Sequence, residues 1–193
     1  MPCRDESVTL LELLIAIALL SVLILGINSI NVFSRYHLIS SDRRAKVQND
    51  VSYCLGHITK QGLRTIGNES IFGVNSAVVA VTNTSLAFFV DANSDGRRDT
   101  GNDYWIKYTL NPSNNQLLYC GNCGNSSACA SCATEVLSDR ITAFNPTKAA
   151  SFTQGNHVEV QLSGRWNPAA SASTDNPEIT MRSTISLPSL STH

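Results

Sequence analysis

The feature that most constrains this chain is a long apolar run near its N-terminus. From Val8 to Ile27 the one ionisable residue is Glu12. An α-helix of that length spans about 30 Å, the thickness of the hydrocarbon core of a bilayer. A cleaved secretory signal would have a shorter run after a basic segment and would end at a small-x-small site. Because Ile27-Asn28-Ser29 is a poor cleavage site, the sequence predicts a retained membrane span.

The charges on either side of the span conflict with an exported C-terminal body. The N-terminal segment has Arg4 against Asp5 and Glu6, whereas four basic residues follow the span: Arg35, Arg43, Arg44 and Lys46. Taken alone, the positive-inside rule would place the body in the cytoplasm. The N-terminal motif and the cysteines described below favour the opposite orientation, with the body outside the cytoplasm.

Glu12 lies near the start of an apolar helix, where a carboxylate is costly unless it is paired. One interpretation is a helix-end acid that reaches the headgroups and meets the positive end of the helix dipole. The surrounding order of residues indicates another. A short polar segment, then Ser7-Val8-Thr9-Leu10-Leu11-Glu12, then the apolar run resemble the N-terminal signature of type IV pilins and of the pseudopilins of type II secretion.

The resemblance implies a processing and assembly pathway. Residues 1–7 would be a prepilin leader, a prepilin peptidase would cut between Ser7 and Val8, and the new amine of Val8 would be methylated. Glu12, with Thr9 beside it, would then serve assembly, because its carboxylate can pair with the amine of a neighbouring subunit and set the height of that subunit. The family favours Gly before the cut and Phe after it, where this chain has Ser7 and Val8.

The resemblance also implies a function. The chain would be a structural subunit of a pilus or pseudopilus, more precisely a minor pilin or pseudopilin, held in the inner membrane by one span. Its partners would be the prepilin peptidase, other pilins or pseudopilins, the inner-membrane assembly platform and membrane lipid. An alternative is an adhesin-like or DNA-uptake minor pilin whose head binds a ligand.

Composition and motifs weigh against other classes of protein. The formal net charge of -1 gives no basic field for nucleic acid. The sequence has no GxSxG, HExxH or phosphate-binding glycine loop, and its four histidines are scattered. We therefore expect no enzymatic activity. A membrane-anchored enzyme or a zinc-dependent redox protein would need catalytic groups that the sequence does not display.

Periodicity predicts an α+β fold, in which a long helix packs on an antiparallel β-sheet head. Apolar residues continue at helical spacing beyond the span, at Val47, Val51, Leu55 and Ile58. The predicted parts are the leader 1–7, a transmembrane and assembly helix 8–28, an amphipathic stalk helix 29–66 and a β-rich head 67–193. Strands are predicted at 77–81, 85–90, 104–110, 116–119, 157–162 and 179–187, and a mobile loop at 168–177.

A polar segment between two predicted strands resembles the start of an EF-hand loop. Oxygen-bearing side chains stand at the first, third, fifth and ninth positions with a glycine at the sixth, and a further acid follows: Asp91, Asn93, Asp95 and Asp99, then Asp103. The final glutamate of an EF-hand is missing, and strands flank the segment. The sequence predicts a structural calcium site; the alternative is an ordinary polar turn rich in Asp, Asn and Gly.

Four cysteines form two CxxC motifs that five residues separate: Cys120 and Cys123, then Cys129 and Cys132. A Cys₄ zinc site is one interpretation, although such paired motifs usually stand farther apart. Disulfides are favoured, since they suit a domain exported to an oxidising compartment and would staple a loop without its own core. Their connectivity stays open among three pairings. Cys54 is expected to remain a free thiol.

Overall fold

The computed structural model describes residues 9–65, 79–95, 101–130, 132–148 and 157–187. Ser7, Val8 and Asp99 therefore lie outside the described residues. Within those residues one long helix precedes eight strands: α1 (Leu10–Gly62), β1 (Val79–Thr82), β2 (Ser85–Val90), β3 (Tyr104–Asn111), β4 (Gln116–Cys120), β5 (Thr134–Ser138), β6 (Ile141–Lys148), β7 (His157–Arg165) and β8 (Glu178–Ser186). The arrangement is α+β, as the sequence predicts.

The chain divides into two compact units, residues 1–42 and residues 43–193. In the first unit every residue from Thr9 to Ile39 is exposed, and α1 is the one described helix that is long and apolar enough to cross a membrane. Two hydroxyls in its apolar part are satisfied within the helix: Ser21 donates to the carbonyl of Ile17 at 2.8 Å, and Ser29 to that of Leu25 at 2.9 Å. These bonds remove the need for water inside a bilayer.

The second unit contains two antiparallel sheets, where the sequence had predicted one. β1 to β5 form a five-stranded sheet in chain order, and β6, β7 and β8 form a three-stranded sheet. Six of the eight strands lie where the alternation and β-branched content predicted them. β5 and β6 were not predicted. β5 is short and mostly exposed, and β6 contains a proline, Pro146, which is compatible with the edge position that β6 occupies.

The C-terminal part of α1 supplies one wall of the core. Its buried residues recur at three- and four-residue steps: Val47, Val51, Cys54, Leu55, Ile58 and Gly62. They join one apolar cluster with residues of both sheets. The packing is close at β7, because a Cβ placed on Gly164 would lie only 2.7 Å from Val51 Cγ2. Glycine at position 164 therefore allows the sheet to approach the helix.

Candidate functional site

The N-terminus of α1 is closed by a capping box made from two residues of the predicted assembly motif. Thr9 precedes the first helical residue, and its hydroxyl accepts a hydrogen bond from the Glu12 backbone N–H at 3.3 Å. The Glu12 carboxylate reaches back and accepts bonds from the Thr9 backbone N–H and hydroxyl, each at 3.1 Å. These are the reciprocal bonds by which an N-cap Thr and an N3 Glu satisfy free amide groups.

This geometry gives Glu12 a role within its own chain as well as the assembly role that the sequence predicts. The carboxylate is exposed and lies at the helix N-terminus, where the helix dipole favours a negative charge. An incoming amine would have to compete with the Thr9 bonds or share the carboxylate with them. The sequence predicts an assembly role for Thr9 and Glu12; the capping box between them was not predicted.

The predicted calcium loop connects β2 to β3, and four of its five proposed ligands fall within the described residues. Asp103 is buried, and its Oδ1 accepts a bond from the Ala92 backbone N–H at 3.0 Å, which ties the end of the loop to its start. Asn93 Nδ2 donates to Asp95 Oδ2 at 2.9 Å. Asp91 begins the loop and is half-buried. Asp103 thus has a structural role that calcium binding would add to, and the calcium site stays a prediction.

The four cysteines of the β4–β5 connection form two nested disulfides, as the sequence favours. Cys120 pairs with Cys132 and Cys123 with Cys129, with Cα–Cα separations of 5.9 and 4.7 Å. These separations lie in the normal range for a disulfide. Because both bridges lie within one hairpin connection, they stiffen that loop and do not join distant parts of the chain. Cys54 is free and buried.

Backbone bonds attach the cysteine loop to the beginning of β3. The Cys123 N–H donates to the Trp105 carbonyl at 2.7 Å, and the Trp105 N–H donates to the Gly124 carbonyl at 2.8 Å. Gly124 has a φ of +58°, a left-handed conformation that glycine adopts without steric cost. Lys107 also contacts the loop, since its ammonium donates to the Ala128 carbonyl at 3.2 Å.

An aromatic cluster around His57 was not predicted from the sequence. The His57 ring lies against Tyr108 and Tyr119 with centroid distances of 5.8 and 4.8 Å, and its Nδ1 is 2.9 Å from Tyr108 Oη. This half-buried histidine lies outside the apolar, exposed part of α1. Burial lowers its pKa, and Lys60 acts in the same direction while Glu135 opposes it. Burial raises the pKa of the Tyr108 phenol, which therefore stays protonated.

A second unpredicted cluster surrounds Trp166. The cationic groups of Arg140, Lys46 and Arg43 lie 4.5, 5.6 and 5.8 Å from the ring centroid, within the range of cation–π attraction. Arg140 also forms a 2.7 Å ion pair with Asp50. Two basic residues of α1, Arg43 and Lys46, thus contact Trp166 of the head. The sequence pattern around Trp166 gave no sign of this contact.

The loop between β7 and β8, which the sequence suggested to be mobile, is organised by one buried asparagine. The Asn176 side-chain amide donates to the carbonyls of Asn167, Ala170 and Ser171 at 3.0, 3.2 and 2.9 Å. Its Oδ1 accepts a bond from the Asn167 backbone N–H at 2.7 Å. Because one side chain bonds four backbone groups of the loop, the loop has a defined conformation.

Comparison with known proteins gives a match to one family model. A family model described as the prokaryotic N-terminal methylation motif matches residues 4–28. No curated protein and no solved structure matches the chain. The matched residues include 4–7 of the predicted leader, with the predicted cleavage residues Ser7 and Val8, the capping pair Thr9 and Glu12, and the apolar part of α1.

Proposed function

We propose that this chain is a structural subunit of a type IV pilus or of a type II secretion pseudopilus. The methylation motif at residues 4–28, joined to a long apolar N-terminal helix, fits a type IV pilin-like protein. One observation carries the proposal. The described apolar part of α1 is exposed around its whole circumference, and Glu12 is its single charged group up to Ile27. Such a helix buries its surface only in lipid or against similar helices.

In the proposed pathway the subunit is first inserted in the inner membrane. A prepilin peptidase removes residues 1–7, and the amine of Val8 becomes the new N-terminus. When the helix joins a growing filament, Glu12 pairs with the amine of a neighbouring subunit. An ion pair in a medium of low dielectric depends strongly on distance and geometry, so a mismatch in height is penalised. The pair therefore sets the register of the subunit more than it adds net affinity.

The remaining partners and the location follow from that pathway. The apolar helix would contact lipid before assembly and the helices of other pilins or pseudopilins after it, with help from the inner-membrane assembly platform. The two disulfides support a head that lies outside the cytoplasm, because such bonds persist in oxidising compartments. A large head with a stapled loop suits a minor subunit better than a densely repeated major one. We propose no catalytic role.

The intact mass of the chain, purified from membranes, tests the proposal directly. We expect the loss of residues 1–7 and the gain of one methyl group. A chain of full mass would leave a membrane-anchored domain and would refute pilin-type processing.

Two substitutions at the cut provide matched controls. Ser7→Gly restores the residue that the family favours, and we expect cleavage to be at least as complete as in the unchanged chain. Ser7→Lys places a long charged side chain before the cut, and we expect the leader to be retained. If both variants and the unchanged chain are cut equally, cleavage occurs elsewhere and the proposed site is wrong.

A further inference from the structure

We propose that the four cysteines of the β4–β5 connection, while they are still thiols, form a Cys₄ zinc site. This inference concerns the same residues that form the disulfides but a different chemical state of them. It does not depend on the proposed function. The two states exclude each other, because a sulfur that is joined to a second sulfur cannot be a thiolate ligand.

The first support is the closeness of the sulfur atoms. The Sγ atoms of Cys120, Cys123 and Cys132 all lie within 4.8 Å of one another. Cys120 and Cys123 belong to different disulfides, yet their sulfurs are 3.0 Å apart. Sulfurs around one tetrahedral zinc ion, at a Zn–S distance of about 2.3 Å, are separated by about 3.8 Å. Cys129, which is bonded to Cys123 in the oxidised loop, supplies the fourth sulfur.

The second support is a set of backbone contacts, separate from the bridges, that hold the cysteine loop against β3 and β5. The Cys123 N–H and the Gly124 carbonyl both bond to Trp105 on β3. Gly124 follows the first CxxC in a left-handed conformation, which turns the chain sharply after Cys123. Strand pairing fixes the other end, since Cys120 at the end of β4 lies opposite Thr134 at the start of β5.

The pairing of β4 with β5 also explains how two CxxC motifs so close in sequence can bind one zinc ion. Only five residues separate Cys123 from Cys129, fewer than in most paired zinc motifs. Longer spacings are needed where two separate loops must meet. Here β4 and β5 already bring the two CxxC motifs to one end of a hairpin, so a short link is sufficient.

The chemistry balances without an oxidant or a reductant. A zinc ion binds four thiols, four S–H protons pass to water, and the Zn(Cys)₄ centre carries a net charge of −2. Lys107 places an ammonium group at the loop, where its Nζ is 3.2 Å from the Ala128 carbonyl. That positive charge lowers the cost of the thiolate centre. Cysteines leave synthesis as thiols, so zinc would bind before the loop is oxidised.

A cobalt titration of the full-length chain in detergent micelles tests this proposal. The protein is kept anaerobic and reduced with a phosphine, which binds zinc weakly. We expect one Co²⁺ per chain, with intense thiolate-to-metal charge transfer and the visible bands of a tetrahedral ion, followed by stoichiometric displacement by Zn²⁺. A spectrum without these bands, or less than about one tenth of an equivalent of bound metal, would overturn it.

Variants locate the site, and the unchanged oxidised chain serves as a further control. Cys132→Ser should weaken Zn²⁺ binding by about a hundredfold or more, because a hydroxyl is a poor ligand for zinc beside three thiolates. Cys54→Ser removes a buried thiol elsewhere and should leave binding unchanged. The oxidised chain should bind no zinc. Equal binding by the oxidised chain, or by the Cys132→Ser variant, would place the metal elsewhere and refute the assignment.

Discussion

Glu12 has two roles, one in its own chain and one in the proposed filament. Its carboxylate closes a capping box with Thr9, and in the proposed filament it pairs with a neighbouring amine. The two roles differ in what they require. A cap at this position needs an acceptor, which Gln supplies as well as Glu, whereas the pairing needs a negative charge.

The variant Glu12→Gln separates these roles. We expect it to insert into the membrane and to be cleaved normally, because the cap and the apolar run are kept. Filament assembly should fall by about tenfold or more, since a hydrogen bond to a charged group is worth about 1.5–3 kcal/mol. The amount of subunit in sheared filaments measures this. Thr9→Val, which disturbs the cap but keeps the charge, should assemble better than Glu12→Gln; the reverse order would contradict the charge-pairing role.

His57 makes the stability of the head depend on pH. Its pKa in the folded chain is lowered, chiefly by burial, so the unfolded chain binds the proton more tightly. Stability is therefore highest above the unfolded pKa of about 6.5 and falls as the pH drops toward the lowered folded value. We expect urea unfolding in micelles to show a lower midpoint at pH 5.5 than at pH 7.5.

Substitution of this histidine should reduce that pH dependence. In His57→Gln the difference between the two midpoints should shrink, while the exposed control His37→Gln should keep it. An unchanged difference in His57→Gln would assign the effect to another group.

At the scale of elements, helices and strands with a regular apolar pattern could be predicted from the sequence. Features whose position depends on a neighbouring strand could not. The helical spacing of Val47, Val51 and Ile58 identified the buried face of α1 because a helix repeats it. β6 was missed because Pro146 breaks the strand signal, and only the sheet shows that β6 is an edge strand. The disulfide pairing depends on the β4–β5 register, which no spacing of cysteines encodes.

The contact between α1 and β7 gives a prediction with a matched control. Gly164→Ala should lower the free energy of unfolding by about 1–3 kcal/mol, because its Cβ would meet Val51 Cγ2 at 2.7 Å in a closely packed core. Gly56 lies on α1, and a Cβ placed there would meet no neighbouring atom within 4 Å. Gly56→Ala should stabilise by up to about 1 kcal/mol through helix propensity. Urea unfolding of both variants measures this, and equal effects would contradict the close approach.

The β2–β3 loop gives a test of calcium as a structural ligand. If calcium binds, a chelator should lower the melting temperature of the head, and Asp95→Asn should abolish that response because a carboxylate ligand is lost. Asp139→Asn removes an equal charge from an exposed turn and should leave the response intact. A melting temperature that changes with neither calcium nor chelator would contradict the calcium site.

At the scale of the whole molecule, two kinds of evidence disagree on which side of the membrane the head lies. The positive-inside rule counts four basic residues after the apolar run, Arg35, Arg43, Arg44 and Lys46, and places the head in the cytoplasm. Two of these four side chains, those of Arg43 and Lys46, contact Trp166 in the head. Charges engaged in a folded domain that is translocated as a unit have less weight than those of a short loop. The disulfides and the methylation motif favour the opposite side.

A thiol at an exposed turn distinguishes the two orientations. Ser113 is exposed between β3 and β4, and Ser113→Cys should react with a membrane-impermeant maleimide in intact spheroplasts if the head is outside the cytoplasm. The unchanged chain is the control. Burial, with a smaller effect of Asp50, raises the pKa of its free thiol Cys54 to about 12, so Cys54 stays protonated and unreactive until the head unfolds. Labelling of Ser113→Cys only after lysis would place the head in the cytoplasm, and would refute the export on which both the disulfides and the pilus assembly depend.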